Sequence, residues 1–235
     1  MNKFWNFKSI VDRESGESRQ ELELFGEIAD EKWFGDEVTP DMFRAELNQC
    51  KGDITVWINS PGGDCISASA IYTMLLDYSG KITVKISGLA ASAASVVAMA
   101  GDTVQMAPTA LMMIHNPAMG VWGDHNAMKK AIDILDEVKE SIINAYELKT
   151  GLSRVRLAHL LEEETWMNAQ KALELGFIDS MMGFDNDNVK AYAYNAATIA
   201  ASISDNNVKK AAQPASNGAS VRQLRLALYE KKITF

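Results

Sequence analysis

The segment KITVKISGLAASAASVVAMA, residues 81–100, leads from a strand into a helix of very small residues and decides the fold class. Apolar and polar residues alternate over 81–86, which is typical of a β-strand. The Ala and Ser residues over 91–100 predict a helix that is suited only to burial. At this junction lies Ser92, which carries a hydroxyl. The backbone N–H of the next residue, Ala93, can point at a group that this hydroxyl contacts.

Strands and helices alternate on both sides of this segment, as hydrophobic periodicity and turn residues predict. Their order predicts an α/β fold with crossover connections. The long helix 126–150 has Asp124 as its N-cap and Gly151 as its stop signal. The predicted strands cover 21–28, 54–59, 81–86, 103–106, 111–114 and a short segment after 177–179, and the predicted helices cover 39–49, 66–78, 91–100, 126–150, 153–162 and 169–175.

Composition divides the chain into four parts. Residues 1–20 are polar and are expected to be flexible, whereas 21–183 are expected to form one domain. Residues 184–218 are rich in Asn, Ala and Ser, which is a linker composition. Residues 219–235 regain helical spacing and carry more basic than acidic side chains, which predicts a short basic amphipathic tail.

Length, charge and motif content exclude several classes of protein. The 235 residues suffice for one domain with a hydrophobic core, and the net charge of -8 argues against nucleic-acid binding. The chain has two cysteines, which fits a reducing compartment. It has no long apolar run, so we expect no signal peptide and no membrane segment. We therefore expect a cytoplasmic protein. Without a His-Glu-x-x-His, Cys-x-x-Cys, Walker or dinucleotide-binding motif, no metal and no cofactor is expected.

A serine is a weak nucleophile unless a base lies beside it, so the three histidines are the next candidates. His115 follows the apolar strand 111–114, and strand ends are where α/β folds expose reactive groups. His125 stands at a helix start and His159 on a short helix among leucines, positions that favour surface or packing roles. The serines that this reasoning leaves open as the nucleophile are Ser87, Ser92 and Ser95.

Two further segments carry groups that a serine hydrolase needs. The turn 60–63, Ser-Pro-Gly-Gly, follows a strand, and its glycines let backbone N–H groups approach a ligand closely. Such N–H groups can stabilise an oxyanion. The acidic run 162–164 supplies carboxylates of the kind that hold a catalytic histidine in its required tautomer.

Together these segments resemble the ClpP family of serine peptidases in order and spacing. The likeness runs from about residue 22 to residue 183. It implies a ClpP/crotonase-like spiral of ββα units in which helix 126–150 is the long handle helix, followed by the C-terminal linker and short helix. The segments that carry the likeness are 58–63 (INSPGG), 88–92 (GLAAS), 113–117 (MIHNP) and 169–179 (AQKALELGFID).

The resemblance also implies a role for each site residue. Glu164 falls at the acid position because residues 166–168, Trp-Met-Asn, resemble the family sequence that follows the acid. The family has aspartate there, and Glu163 is the alternative. The implied set is Ser92 as nucleophile, His115 as general base, Glu164 as acid, and the N–H groups of Gly63 (with Gly62 as the alternative) and Ala93 as the oxyanion hole.

Three departures from ClpP favour a particular branch of the family. Ala93 and Ala94 stand where ClpP usually has Met-Gly, the N-terminal part lacks an axial-loop sequence, and the C-terminal extension is long. These features resemble the phage ClpP-related head maturation (prohead) proteases. That resemblance implies a ring-type homo-oligomer without a Clp ATPase, acting on scaffold and capsid proteins in the host cytoplasm within the assembling procapsid.

Three other readings fit parts of the sequence. The first is a housekeeping, ATP-dependent ClpP subunit, which a stable complex with a Clp ATPase would favour. The second is a non-catalytic capsid-assembly protein that keeps the ClpP fold. The third is a crotonase-type acyl-CoA enzyme, which shares the ββα spiral and an oxyanion hole but needs no serine nucleophile.

Overall fold

A computed structural model of the chain describes residues 4–11, 18–28 and 40–183. Strands and helices alternate along the described part, so the predicted α/β class is confirmed. The predicted linker 184–218 and tail 219–235 lie outside the described residues. The strands are β1 (Trp5–Val11), β2 (Ser18–Phe25), β3 (Ile54–Ser60), β4 (Ile82–Ala91), β5 (Thr103–Met106), β6 (Leu111–Ile114), β7 (Thr165–Asn168) and β8 (Ser180–Met181), and the helices are α1 (Pro40–Leu47), α2 (Cys65–Leu76), α3 (Ala93–Ala98), α4 (His125–Thr150), α5 (Arg154–Glu162) and α6 (Ala169–Glu174).

Strand β4 organises the sheet because it pairs with a different strand along each half. The strand order is β1-β2-β3-β4-β5-β8, and β6 pairs with both β4 and β7. Residues 83–86 of β4 pair in parallel with β5. Residues 89–91 pair in parallel with β6, in the register Ala91 to Met113. The end of β4 and the end of β6 therefore lie side by side.

The strand at 81–86 is longer than the sequence predicts, and the helix after it is shorter. β4 continues through Gly88 to Ala91, and α3 begins at Ala93. A Cβ at Gly88 would lie 2.7 Å from Asn59 Oδ1, so the strand passes tightly against the end of β3 at this glycine. Ala90 and Ala91 are buried in the strand rather than in a helix. Small residues here permit close strand packing as well as helix packing.

The prediction that residues 1–20 are flexible is wrong for the first strand. β1 pairs antiparallel with β2, in the register Trp5 to Leu24. The Trp5 ring is buried, packs edge to face on Phe43 with centroids 5.4 Å apart, and donates from Nε1 to Glu46. This burial of an aromatic side chain against α1 explains why residues 5–11 form a strand despite the polar composition around them.

Helix α4 has both of its predicted caps. Asp124 accepts hydrogen bonds from the backbone N–H groups of residues 126 and 127, and Gly151 ends α4 in the left-handed conformation with φ 68°. α4 is 26 residues long, and α3 is buried along its whole length. Strand β7, which the sequence did not predict, pairs antiparallel with β6. No helix in the described ranges combines the length and the apolar character needed to cross a membrane.

Candidate active site

The side chains of Ser92 and His115 meet where β4 and β6 end. Ser92 Oγ lies 2.7 Å from His115 Nε2, which is a hydrogen-bond distance. The Ser92 N–H donates to the Met113 carbonyl at 2.9 Å and thereby extends the β4–β6 ladder by one bond. Both side chains are half-buried, so they combine a fixed position with access from solvent. A serine hydroxyl in contact with an imidazole is the arrangement of an activated nucleophile.

The backbone of Ser92 is strained. Its φ of 53° and ψ of -127° lie outside the regions that residues with a Cβ favour. Within the described residues only Ser92 and Glu164 combine a side chain with a positive φ. Such conformations cost about 1–3 kcal/mol each and concentrate at functional sites. The strain thus falls on two of the residues that the resemblance places in the site.

The glycine turn that follows β3 is fixed by a short parallel bridge to residue 28. The Ile28 N–H donates to the Gly62 carbonyl, and the Asp64 N–H donates to the Ile28 carbonyl, both at 2.8 Å. Neighbouring N–H groups of an extended segment point to opposite sides, so the Gly63 N–H points away from residue 28. The Gly62 N–H is already bonded to Ser60 Oγ at 3.1 Å. The Gly63 N–H has no acceptor among the described residues and can bind an incoming oxygen.

The same turn lies against the nucleophile segment. A Cβ built on Gly62 would lie 2.8 Å from the Ser92 Cβ and 2.9 Å from the Ala93 nitrogen. Ala93 is the first residue of α3, so its N–H has no partner within that helix. The N–H groups of Gly63 and Ala93, which bind no acceptor in the part of the chain that the structure describes, therefore come from segments that lie against each other next to Ser92.

The backbone of Glu164 lies near that of His115, but the Glu164 carboxylate is directed at Trp166. The β6–β7 ladder pairs Ile114 with Thr165, so His115 follows β6 and Glu164 precedes β7 at the same end of the ladder. In this structure Glu164 Oε1 accepts a hydrogen bond from Trp166 Nε1 at 3.2 Å. Among the described residues no carboxylate forms a hydrogen bond or ion pair with the His115 ring. The backbone of Glu164 thus lies at the same end of the ladder as His115, whereas its side chain is turned to Trp166.

The alternative site residues have other partners. Glu163 Oε1 lies 3.3 Å from His159 Nε2, and both side chains are exposed. Ser87 donates to the Ile58 carbonyl at 3.3 Å, and Ser95 is fully buried and donates to the Ser92 carbonyl. His125 is the first residue of α4. The geometry thus favours Ser92 and His115 among the serines and histidines that the sequence left open.

Two groups near the site were not expected from the sequence. The indole of Trp166 binds the carboxylate at the acid position, and Tyr146 on α4 reaches Ser95 with its hydroxyl. In the sequence Trp166 is only part of the stretch that resembles the family pattern. For Tyr146 no local signal exists, because its contact with Ser95 joins residues 51 positions apart.

Comparison with known proteins identifies the family. Residues 17–184 match the model of the Clp protease family, and the chain belongs to that family. It is 30% identical to the ATP-dependent Clp protease proteolytic subunit 1 of Chlamydia muridarum, over 77% of this chain and 94% of the relative. It is 28% identical to the ATP-dependent Clp protease proteolytic subunit 2 of Thermobifida fusca, over 70% of this chain and 81% of the relative. The family is one of peptidases.

The glycine turn generates a prediction for stability. Gly26 and Gly63 both have positive φ, but a Cβ at Gly26 meets nothing within 4 Å, whereas one at Gly63 would lie 2.0 Å from the Ile28 carbonyl oxygen. We expect Gly26→Ala to lower the free energy of unfolding by about 1–2 kcal/mol through backbone strain alone. Gly63→Ala must also displace residue 28 and should cost clearly more. Urea unfolding of both variants measures the difference, and equal losses would contradict the bridge.

Proposed function

We propose that this protein is a serine endopeptidase of the ClpP type in which Ser92 is the nucleophile and His115 the general base. The observation that carries the proposal is the 2.7 Å contact between Ser92 Oγ and His115 Nε2. In this mechanism Nε2 takes the hydroxyl proton while Oγ attacks the peptide carbonyl. His115 then gives that proton to the leaving amine, and water hydrolyses the acyl-enzyme by the same steps.

The oxyanion of the tetrahedral intermediate needs donors that are already in place. The N–H groups of Gly63 and Ala93 are proposed for this role because both are unpaired and both flank Ser92. Gly62 is the weaker choice since its N–H is bonded to Ser60. Removing one such donor typically lowers the rate by about 100- to 1000-fold.

Glu164 is the proposed acid. For Nε2 to accept a proton, the ring must carry its own proton on Nδ1, and a carboxylate on Nδ1 stabilises that tautomer and the imidazolium formed later. Thr165 at the start of β7 pairs with Ile114 at the end of β6, so Glu164 precedes one strand at the same end of the ladder where His115 follows the other. A rotation of the Glu164 side chain away from Trp166 is therefore the movement that completes the triad.

The nucleophile assignment is tested with a fluorophosphonate, which labels activated serines. Ser92→Ala should abolish labelling and lower peptide hydrolysis by up to about a million-fold, as loss of a triad serine does elsewhere. Ser87→Ala is the matched control, because Ser87 lies on the same strand and donates only to a backbone carbonyl. It should keep both activities. Continued hydrolysis by Ser92→Ala would instead favour a crotonase-type site without a serine nucleophile.

The assignment of Glu164 as the acid is tested by substituting Glu164 and its neighbour Glu163 in turn. Glu164→Gln keeps the shape but cannot stabilise the imidazolium, so kcat should fall by roughly 100- to 10,000-fold. Glu163→Gln only loses the surface pair with His159 and should change kcat little. Steady-state hydrolysis of a fluorogenic peptide gives both values. A large loss in Glu163→Gln with normal activity in Glu164→Gln would reverse the assignment.

We further propose assembly into a homo-oligomer of the ring type, with α4 as the handle helix of a ClpP-like spiral. Apolar side chains on and before α4 support this, since Trp122 is 100% exposed and Ile132 and Ile134 are exposed on the helix. Large apolar side chains that remain exposed are available for protein–protein contacts. Ser92 and His115 are already in contact within one chain. Assembly would therefore affect the access of substrate and the position of the Glu164 side chain.

For the substrates we propose scaffold and capsid proteins of a phage head, cleaved in the host cytoplasm within the assembling procapsid and without a Clp ATPase. The residues Ala93 and Ala94 and the extension beyond residue 184, the last that matches the family model, support this branch. The names of the relatives favour a second candidate, the proteolytic subunit of an ATP-dependent Clp protease.

Co-expression separates these two candidates. With a phage scaffold protein and no added ATPase, the wild type should cut the scaffold and Ser92→Ala should leave it intact, as mass spectrometry would show. A housekeeping subunit should leave the folded scaffold intact and degrade a tagged substrate only when a Clp ATPase and ATP are supplied. ATPase-dependent cleavage alone would overturn the head-maturation proposal while leaving the peptidase assignment in place.

A further inference from the structure

A buried line of hydroxyl groups connects helix α4 with the peptide bond that follows Ser92. The Tyr146 hydroxyl lies 2.8 Å from Ser95 Oγ, and Ser95 Oγ donates to the Ser92 carbonyl at 2.5 Å. Ser95 is 0% exposed and Tyr146 is 1% exposed. Neither side chain reaches the surface or His115, so the mechanism proposed above makes no use of them. Buried polar groups must nonetheless be paired, and these two are paired with each other.

The direction of each hydrogen bond follows from the number of protons. A carbonyl oxygen has none to give, so the single Ser95 hydroxyl proton must point at the Ser92 carbonyl. Ser95 Oγ can then only accept from Tyr146, whose hydroxyl must be the donor. Burial raises the pKa of Tyr146 above its usual range, which keeps this donor protonated. The chain therefore runs one way, from Tyr146 through Ser95 to the Ser92 carbonyl.

The carbonyl at the end of this chain belongs to the same peptide unit as the Ala93 N–H. A peptide unit is planar and its C=O and N–H point in opposite directions, so fixing one fixes the other. The Ser92 carbonyl is held twice by Ser95, through its hydroxyl and through its N–H at 3.0 Å. Hydrogen bonds in a chain also polarise one another, so a carbonyl that accepts strongly makes its own N–H a better donor.

We propose that Ser95 and Tyr146 are positioning residues that aim and polarise the Ala93 N–H of the oxyanion hole. The inference rests on the proposed serine peptidase mechanism and deepens it. It also gives α4 a role inside the protomer, because Tyr146 joins that helix to the strained peptide at Ser92. Neither residue is a catalytic residue, since neither touches the reacting atoms. Their effect should appear only when negative charge develops on the oxyanion.

The test measures how fast the full-length protein reacts with a fluorophosphonate, resolved into the binding constant KI and the maximal rate kinact. Ser95→Ala should lower kinact by about 10- to 100-fold, because a misplacement of about 1 Å can cost about 100-fold, and should leave KI unchanged. Tyr146→Phe should lower kinact by roughly 2- to 5-fold through lost polarisation alone. The double variant should match Ser95→Ala, since Tyr146 acts only through Ser95.

Two control variants remove comparable hydrogen bonds away from the site. Ser69→Ala removes a hydroxyl that donates to the Cys65 carbonyl at 2.9 Å, and Tyr78→Phe removes one that donates to the Gly52 carbonyl at 2.8 Å. Both should react at the wild-type rate. The final labelled fraction is measured for every variant, because misfolding lowers that fraction while mispositioning lowers only the rate.

The possible outcomes separate this inference from the proposed function. If Ser95→Ala reacts as fast as Ser69→Ala, or loses only labelled fraction, the positioning role is overturned and the peptidase assignment stands. An additive double variant would equally overturn the one-way chain. If the wild type itself is not labelled at Ser92, the proposed function fails first. A drop in kinact with full labelling and unchanged KI supports the inference.

Discussion

The site depends on one strand having two partners. β4 pairs with β5 along its first half and with β6 along its second, so the sheet divides within a single strand. The division brings the end of β4 beside the end of β6, and the register sets Ala91 against Met113. Ser92 and His115 are the residues that follow these ends. Their 2.7 Å contact is thus a consequence of backbone pairing and does not rely on a flexible loop.

Backbone strain is retained at this point because the surrounding hydrogen bonds leave the chain no relaxed alternative. The Ser92 N–H is bonded to β6, and its carbonyl is bonded twice to Ser95. Relaxing the positive φ of Ser92 would break bonds on both sides of the residue, in a region where unpaired polar groups cost about 1–3 kcal/mol each. The strained conformation turns the hydroxyl toward His115 and leaves the Ala93 N–H unpaired. The local strain and the contact between Ser92 and His115 therefore have the same cause.

The sequence was most informative where a residue's role depends on its immediate neighbours. The turn at 60–63, the caps of α4 and the strand-to-helix junction before Ser92 all follow local rules and all appear in the structure. β1 was missed because its order depends on Trp5 packing on α1, a contact between residues far apart in the chain. β7 was missed because four residues give too short a pattern. The hydrogen-bond partners of Ser95 and Glu164 could not be predicted from the sequence either, because the direction of a side chain depends on packing.

The position of Glu164 shows how the last group of the proposed triad can depend on substrate. Its carboxylate is exposed and bonded to an exposed indole, and such contacts in water contribute little to stability. Leaving Trp166 therefore costs little. A bound peptide would exclude water from the site and strengthen the attraction between a carboxylate and a developing imidazolium, because electrostatic interactions grow as the local dielectric falls. The proposed nucleophile and base are thus held by the sheet, whereas the proposed acid has to leave Trp166 to join them.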